Sequence, residues 1–482
     1  MNKKIVFRVM GRLLEVLAFF MLLPMLVSVI YKESDVFFSF LIPAIISLAV
    51  GTGLIFATNG CSNVMYAREG FLTVAIAWFA VSLIGCMPFI LSGEIPNFAD
   101  AYFETVSGFT TTGASVVTDV EALSHGILFW RSFSHWIGGM GVLVFIVAFA
   151  NSLSDRAIHI LRAEMPGPVV GKIVPRSKDT SKVLYIMYIV LTLVQTLLLM
   201  AGDMPAFDSI VHALGTAGTG GFGIKPDSIG GYSPYIQWVI AVFMVIFGVN
   251  FNLYYLLIIK RFRAVLKSTE LWTFLGIIGV STLLISLNIR HLFDGVGDTV
   301  RTAFFQVSSI ISTTGYATTD FNLWPGFSKA ILLLLIFLGG CAGSTAGGLK
   351  MSRAIILCKM VVKEVKRMIH PRSVVTVKFE DKEVDDHLQK SVSTYFAVYM
   401  LCILAVFLIL SLEPFDFETN FTAAVTCFNN VGPGFGLVGP AGSFAMYSDA
   451  TKLFLSFAMI LGRLEIFPIL IALIPSTWKR KR

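Results

Sequence analysis

Apolar segments of about 20 residues recur along the chain and are separated by short segments that are polar or rich in glycine. A helix needs about 20 apolar residues to cross the roughly 30 Å hydrocarbon core of a bilayer. By this measure the sequence predicts ten spans, near residues 9–30, 37–58, 70–92, 126–150, 183–202, 236–259, 271–289, 329–348, 391–412 and 451–474. We therefore expect an all-α integral membrane protein whose first apolar segment is a transmembrane helix rather than a cleaved signal.

Four further segments match a helix but are too short to cross a bilayer, and each ends in small residues. They follow the third, fifth, seventh and ninth spans and read PNFADAYFETVSGFTTTGAS, PAFDSIVHALGTAGTGGFGI, GDTVRTAFFQVSSIISTTGYAT and FDFETNFTAAVTCFNNVGPGFG. Their small-residue parts centre on Gly113, Gly220, Gly315 and Gly432. One plan that recurs at intervals of roughly 100 residues indicates four internal repeats.

The repeats predict two N-terminal helices followed by four units of span, short pore helix, loop and span, in a pseudo-fourfold arrangement around one pore. The expected limits are residues 1–66 for the two extra helices and 67–155, 156–265, 266–375 and 376–482 for the four pore repeats. Irregular backbone is tolerated inside a membrane only where protein or water satisfies its polar groups. Four such loops in one chain are therefore expected to meet at a common axis.

Glycine-centred loops at one axis can form a cation filter. Glycine permits the dihedral angles that point successive carbonyl groups inward, and carbonyl oxygens can replace the hydration shell of K⁺. The short helices would direct the partial negative charge of their carboxyl ends to the same place. The predicted filter residues are Thr111, Thr112, Gly113, Gly218, Thr219, Gly220, Thr313, Thr314, Gly315, Asn430, Val431 and Gly432. The competing interpretation is ordinary external loops with glycines for helix packing, which does not explain four loops in register.

The distribution of charge indicates how the chain crosses the membrane. Only 14% of the residues are charged, and the net charge is +7. Most Lys and Arg residues lie in segments that an even number of spans places on one side, namely the N-terminus, Arg68, and residues 151–182, 260–267, 350–390 and 479–482. The positive-inside rule makes that side cytoplasmic, together with both termini. The positive charge is then a sign of topology in a lipid-embedded protein and not of nucleic-acid binding.

No cluster of residues indicates an enzyme. The six cysteines show no CxxC spacing and the seven histidines are dispersed, so the sequence predicts neither a disulfide framework nor a site built from these metal ligands. No nucleophile, base and acid occur together. We expect no catalytic residues and no organic cofactor in this chain, with K⁺ at the filter carbonyls as the transported ion.

The segment FLGGCAGSTAGGLK interrupts the eighth span. Its glycines and hydroxyl residues predict a broken helix whose middle crosses the pore as a gate, with the helix resuming in MSRAIILCKMVVKEVKRMI. Alternatively, Gly339, Gly343 and Gly347, spaced by four, would form a face for close helix packing. The predicted gate residues in this segment are Gly340, Gly343, Ser344, Thr345, Ala346, Gly347, Gly348 and Lys350. Lys350 would either cap the broken end or place charge at the inner mouth.

Two arginines fall within predicted spans, where a charge is costly and usually functional. Arg463 would either have a functional role, pair locally with Glu465, or extend its charge to the interface. Arg131, near the outer end of the fourth span, is interpreted as an interfacial anchor. Apart from Glu465 and Glu15 near helix ends, the sequence shows no evident intramembrane acid.

The motifs FETVSGFTTTGAS, GTAGTGGFG, SIISTTGYATTD and FNNVGPGFG, in this order, resemble those of the Trk/Ktr/HKT superfamily of potassium transporters. The two leading helices and LGGCAGSTAGGLKMSR are similar to its bacterial TrkH-type pore subunits. The resemblance implies channel-like uptake of K⁺ and Rb⁺, selective over Na⁺, across the bacterial inner membrane. It also implies a homodimer, a cytoplasmic nucleotide-binding ring of the TrkA type that gates the pore, and an arginine at position 463 that reaches the gate. Because GTG and NVG depart from TTG, the filter is expected to be asymmetric.

A potassium symporter coupled to H⁺ or Na⁺ is the alternative function, and it predicts acids buried at the membrane midplane. The basic segments 151–182 and 359–390 are candidate docking surfaces for the regulator. Within the second segment, SVVTVKFEDKEV predicts a short β-hairpin.

Overall fold

Polar residues at the ends of the apolar segments set where the helices begin. The computed structural model describes residues 3–60, 65–141 and 177–475, and helix is the main element in them. In three of the four units, the last long helix starts at a serine whose side chain accepts a backbone N–H of the first turn: Ser124, Ser233 and Ser448. Such a cap satisfies an N–H group that has no partner within the helix.

The elements follow the predicted order of two leading spans and four units. The leading spans and first unit comprise α1 Lys3–Phe20, α2 Leu22–Ile30, α3 Ser34–Ala57, α4 Ala67–Gly85, α5 Met87–Leu91, α6 Phe98–Phe109 and α7 His125–Gly139. The second unit comprises α8 Ser177–Ala201, α9 Ala206–Gly218, α10 Pro234–Gly248 and α11 Phe251–Ile258, and α12 Phe262–Leu266 links it to the third. The third comprises α13 Thr269–Ile289, α14 Val296–Ile311, α15 Gly326–Leu338 and α16 Met351–Ile369. Strands β1 Lys378–Phe379 and β2 Lys382–Glu383 precede the fourth unit, which comprises α17 Asp386–Leu410, α18 Phe417–Asn429, α19 Asp449–Arg463 and α20 Phe467–Leu473.

Several predicted spans are broken rather than continuous. Six helical segments in the described residues are long and apolar enough to cross a membrane, and two bent pairs raise that number to eight. Residues 236–259 bend by 91° between α10 and α11, and residues 451–474 bend by 118° between α19 and α20. The predicted span 329–348 is helical only to Leu338. Residues 142–150 of the predicted span 126–150, and residues 151–176 of the basic segment after it, lie outside the described residues.

The two leading spans pack together and against the first unit. Gly11 on α1 faces Gly51 on α3 so closely that a Cβ on either residue would crowd the carbonyl oxygen of the other. Helix α1 also contacts α4, and α2 contacts α7. Large apolar side chains such as Phe38 and Ile45 remain exposed on α3, as is typical of a lipid-facing helix.

The four short helices α6, α9, α14 and α18 are buried along most of their length. Their hydroxyl groups bond to helix carbonyl oxygens, as Thr105 bonds to Ala101 and Thr216 bonds to His212, each at 2.7 Å. Polar side chains are tolerated in the interior because they are satisfied in this way. Each of these helices ends at one of the predicted filter loops, so the four-unit plan is confirmed.

The short hairpin predicted in the segment between α16 and α17 is also confirmed. Strands β1 and β2 pair antiparallel, with Lys378 opposite Glu383. The neighbouring apolar side chains of Val377, Phe379 and Val384 are buried. The hairpin therefore packs against the rest of the protein through one apolar face.

Candidate functional site

Each of the four short helices runs into a loop with the same unusual backbone. A residue with left-handed φ comes first, and a glycine with positive φ stands two positions later. With φ in degrees, the pairs are Thr111 (56) and Gly113 (79), Thr219 (55) and Gly221 (75), Thr313 (57) and Gly315 (88), and Asn430 (55) and Gly432 (93). Glycine is favoured at the second position because other residues are strained there. The four loops thus share one conformation although their sequences differ.

These glycines interlock the loops into a closed ring. A Cβ built on each glycine would collide with the carbonyl oxygen of the middle residue in the next loop. The pairs, with the glycine first, are Gly113 with Gly220, Gly221 with Thr314, Gly315 with Val431, and Gly432 with Thr112. The contacts run from the first loop to the fourth and back to the first, so the loops surround one axis.

The carbonyl groups of the four middle residues have no hydrogen-bond donor among the described residues. They belong to Thr112, Gly220, Thr314 and Val431. In contrast, the side chain of Thr112 is engaged, because its Oγ1 accepts a hydrogen bond from Asn430 Nδ2 at 2.9 Å. A side-chain hydrogen bond therefore joins the first and fourth loops, while the backbone oxygens of the four middle residues have no donor among the described residues.

In the second loop, the register differs by one residue from the sequence-based prediction. Gly221, rather than Gly220, has the positive φ of Gly113, and Gly218 is the last residue of α9. The triplet equivalent to the first loop is therefore 219–221 and not 218–220. The stretch GTGG contains three glycines, so the pattern alone could not choose between the two registers.

Glycine is also needed at positions 218 and 220 of this loop, because both lie against His135. Its ring is wholly buried, and a Cβ on Gly220 would collide with it. A Cβ on Gly218 would collide with the carbonyl oxygen of the same histidine. Nδ1 of His135 lies 2.8 Å from the carbonyl oxygen of Gly108 on the first pore helix. No motif in the sequence marks this residue, because the histidines are dispersed along the chain.

A cavity of about 160 Å³ opens on one side of the ring. All four positive-φ glycines line it, and so do Ser115, Arg131 and Lys225. A water molecule occupies about 30 Å³ in the liquid, so the cavity has room for a few water molecules.

Residues 339–350 form an irregular segment on the opposite side of the ring. The N–H of Gly347 donates to Thr313 Oγ1 at 2.7 Å, and a Cβ on Gly347 would collide with the carbonyl oxygen of Asn429. The segment thus touches the third and fourth loops. The helix-packing alternative is wrong, because this segment is not helical and Gly339 and Gly343 have positive φ.

Backbone groups of the second unit hold this segment in place. The N–H of Cys341 donates to the carbonyl oxygen of Gly248 at 2.9 Å, and the N–H of Phe251 donates to that of Gly343 at 3.1 Å. Both partners in the second unit lie at the break between α10 and α11. The bend in that span therefore supplies backbone groups to the segment.

The remaining predicted gate residues lie within the same segment. Ser344 Oγ donates to the carbonyl oxygen of Cys341 at 2.6 Å. The buried ammonium of Lys350 donates to the carbonyl oxygen of Ala346. The N–H of Met351, at the start of α16, donates to the carbonyl oxygen of Gly340 at 3.0 Å.

Arg463 connects this segment to the ring. Its Nη1 donates to the carbonyl oxygen of Thr345 at 2.9 Å and lies 3.1 Å from Thr111 Oγ1. Its Nη2 donates to the carbonyl oxygens of Gly138 and Gly139 at 2.6 and 2.9 Å. One guanidinium therefore contacts the first loop, the end of α7 and the irregular segment.

The local pair between Arg463 and Glu465 is not the arrangement found. Glu465 instead forms an ion pair with Arg353 on α16, at 2.6 Å. The guanidinium of Arg353 also lies over the ring of Tyr395, 3.9 Å from its centroid. The ion pair of Arg353 and Glu465 therefore joins α16, which follows the irregular segment, to the bend between α19 and α20.

Arg131 is not the interfacial anchor that its position predicts. Its side chain is only 2% exposed, and it forms an ion pair at 2.8 Å with Glu104, which is 0% exposed. Glu104 lies on the first pore helix, so a buried acid is present where the sequence analysis found none. A signal was available, because Glu104 lies in the middle of one of the short helices predicted to reach the pore axis.

Comparison with known proteins identifies relatives that cover the whole chain. Residues 37–480 match the TrkH family, described as cation transport protein. The chain is 35% identical to the Trk system potassium uptake protein TrkH of Salmonella typhimurium, which covers 99% of this chain and 100% of that protein. It is 35% identical to TrkG of Escherichia coli, with 99% of both chains covered. The crystal structure of the potassium transporter TrkH from Vibrio parahaemolyticus matches with a TM-score of 0.89 at 32% identity, covering 99% of this chain and 100% of that one.

The register of the second loop predicts that Gly221→Ala destabilises the protein and Gly223→Ala does not. Alanine at position 221 would collide with the oxygen of Thr314, and its left-handed backbone costs roughly 1–2 kcal/mol in addition. A Cβ at Gly223, in the same loop, meets its nearest atom at 3.4 Å. Melting temperatures in detergent should fall by a few degrees for the first variant only. Equal melting temperatures would contradict the assignment of residue 221 to the ring.

Proposed function

Because the chain belongs to the TrkH family of cation transport proteins, we propose that it takes up K⁺ by channel-like conduction through the ring of four loops. Rb⁺ would follow the same path. Relatives that are potassium uptake proteins of the Trk system support the choice of ion. The membrane potential supplies the driving force, since moving one charge through 100 mV is worth about 2.3 kcal/mol.

The observation that carries this proposal is the set of four carbonyl groups without a donor. Buried carbonyl groups nearly always have a partner, yet among the described residues nothing donates to Thr112, Gly220, Thr314 or Val431. A dehydrated K⁺ at the axis would supply that partner. The triplets contain no charged side chain, so the ion would be held by dipoles and could leave again.

The pore helices support cation binding at the same place. Helices α6, α9, α14 and α18 all end where the loops begin. The carboxyl end of a helix carries about half a negative charge. Four such ends around one axis favour a cation without the tight binding that an ionised side chain would cause.

We assign residues 339–350 as the gate. The segment contacts Thr313 and Asn429 directly and reaches Thr111 through Arg463. In this position it crosses the exit from the ring, and the guanidinium adds a positive charge that opposes a cation. The contacts are mostly single hydrogen bonds, each with a net contribution of about 0.5–1.5 kcal/mol. A conformational change driven from outside the membrane can therefore displace the segment.

The hairpin provides a route from the cytoplasmic face to this gate. Glu380 at its turn accepts hydrogen bonds from Ser268 Oγ at 2.9 Å and from the N–H of Glu270 at 3.1 Å, at the start of α13. The carboxylate of Glu270 in turn accepts the N–H of Ala342 in the gate at 2.8 Å. On the other side of the hairpin, the carbonyl oxygen of Lys378 accepts a hydrogen bond from Nζ of Lys359 on α16. Movement of the hairpin would thus reach the gate through Glu380 and Glu270, and movement of α16 would reach the hairpin through Lys359.

The biological setting follows the resemblance described above. We propose that the chain lies in the bacterial inner membrane with both termini in the cytoplasm, forms a homodimer, and is controlled by a nucleotide-binding ring of the TrkA type. Naming of the relatives as parts of a Trk system supports a partner of this kind. The coupled alternative requires an acid that can exchange H⁺ or Na⁺. Glu104 is engaged by Arg131 in a buried ion pair, which favours uncoupled conduction.

Flux measurements test the proposal directly. Proteoliposomes with an interior-negative potential and no other gradient should take up Rb⁺ in the presence of excess Na⁺. Uptake that requires an H⁺ or Na⁺ gradient would favour the symporter. If uptake appears only after the cytoplasmic regulator is added, the block lies at the gate and not in the ring.

Neutralising Glu380 should weaken closure of the gate. Hydrogen bonds to a charged group contribute about 1.5–3 kcal/mol each, so Glu380→Gln should raise Rb⁺ uptake without the regulator by roughly tenfold. Glu383→Gln removes the same charge from the exposed side of the same hairpin and should leave uptake unchanged. Identical uptake by the two variants would argue against this connection.

A further inference from the structure

The buried ion pair between Glu104 and Arg131 stands beside the proposed ion path. Both Nε and Nη2 of Arg131 lie 2.8 Å from Glu104 Oε1. An unpaired charge in this interior would be strongly destabilising, so each residue requires the other. Arg131 also lines the cavity next to the ring. The pair therefore lies near the filter and away from the lipid surface.

The pair fixes the part of the first loop that follows Gly113. Ser115 Oγ donates to Glu104 Oε1 at 2.9 Å, and the N–H of Val116 donates to Glu104 Oε2 at 2.9 Å. Nη2 of Arg131 donates to Ser115 Oγ at 3.1 Å. Two consecutive residues of the loop are thereby held by charged groups.

The same arginine holds the corresponding part of the second loop. Its guanidinium lies 4.2 Å from the centroid of the Phe222 ring, and Nη1 donates to the carbonyl oxygen of Gly223 at 3.3 Å. These residues follow Gly221 directly. The Arg131 side chain thus bridges the first and second loops, close to where Gly113 packs against the carbonyl group of Gly220.

This ionic support occurs at one of four equivalent positions. Nine residues before the ring glycine, the pore helices carry Glu104, His212, Gln306 and Ala423. The third and fourth loops are held by neutral groups instead. Ser309 Oγ donates to the carbonyl oxygen of Tyr316 at 2.6 Å, and the N–H of Phe435 donates to Thr422 Oγ1 at 2.9 Å.

We propose that Glu104 and Arg131 are positioning residues that set the preference of the ring for K⁺ over Na⁺. This inference rests on the proposed function. Na⁺ is smaller, so a ring must contract to coordinate it as well as it coordinates K⁺. The ion pair resists that contraction by holding the first and second loops at a fixed separation. Its loss would relax selectivity before it abolished conduction.

The test compares Arg131→Lys with a matched control, Arg301→Lys. Lysine at 131 keeps the positive charge but loses the fork that reaches Glu104, Ser115 and Gly223 together. Arg301 also lies on a pore helix and pairs with Asp298 at 2.7 Å, but it is partly exposed. The purified proteins are titrated with KCl and NaCl, and the concentrations that half-maximally raise the melting temperature are compared, since a bound ion stabilises the folded state. Rb⁺ and Na⁺ uptake by proteoliposomes gives the same ratio from flux.

We expect the ratio of Na⁺ to K⁺ midpoints to fall by roughly tenfold in Arg131→Lys and to stay at the wild-type value in Arg301→Lys. A folded Arg131→Lys protein with wild-type discrimination in both assays would overturn the proposal. If that variant does not fold, Glu104→Gln combined with Arg131→Gln removes both charges without leaving one unpaired. A wild-type ratio of Na⁺ to K⁺ midpoints in this double variant would overturn the proposal, and a lower ratio would support it. A wild-type protein without K⁺ preference would instead contradict the proposed function.

Discussion

Backbone that is not helical must have its polar groups satisfied when it lies inside a membrane, and most of this structure follows from that constraint. An unsatisfied peptide group costs several kcal/mol in hydrocarbon. N–H groups of the loops meet this requirement by donating to their own pore helices, as Thr112 does to Ser107 and Thr314 does to Ser309. The four ring carbonyl groups, which have no donor among the described residues, converge on one axis, where glycines let each loop pack against the next. The pore helices are buried because they must deliver the loops to that axis.

The irregular segment 339–350 obeys the same constraint with partners from other units. Its backbone bonds to Gly248 and Phe251 where α10 breaks, and its Gly347 bonds to the third loop. A helix cannot offer these groups unless it is interrupted, so the bend in the second unit and the irregular segment depend on each other. The segment also contacts the ring, directly at Thr313 and through Arg463 at Thr111.

The four units share a backbone but not the side chains that stabilise it. A buried ion pair spans the first and second loops, whereas hydroxyl groups hold the third and fourth. The contact that must recur is between a glycine and a carbonyl group, and neither depends on a side chain. The repeats can therefore diverge in sequence while the ring keeps one backbone conformation.

The sequence by itself determined the membrane class, the four-unit plan, the hairpin and the place of the irregular segment, because hydrophobic length and glycine-rich breaks are local signals. It did not determine the register of the second loop, since GTGG allows two choices that only contact with the third loop resolves. Nor did it reveal the pair of Glu104 and Arg131, which are 27 residues apart on different helices. The bends within residues 236–259 and 451–474 were hidden for a related reason. The breaks fall at single polar positions, Asn250 in the first span and Glu465 in the second, within runs that are otherwise long and apolar. In the second unit the freed backbone groups find their partners in a different unit.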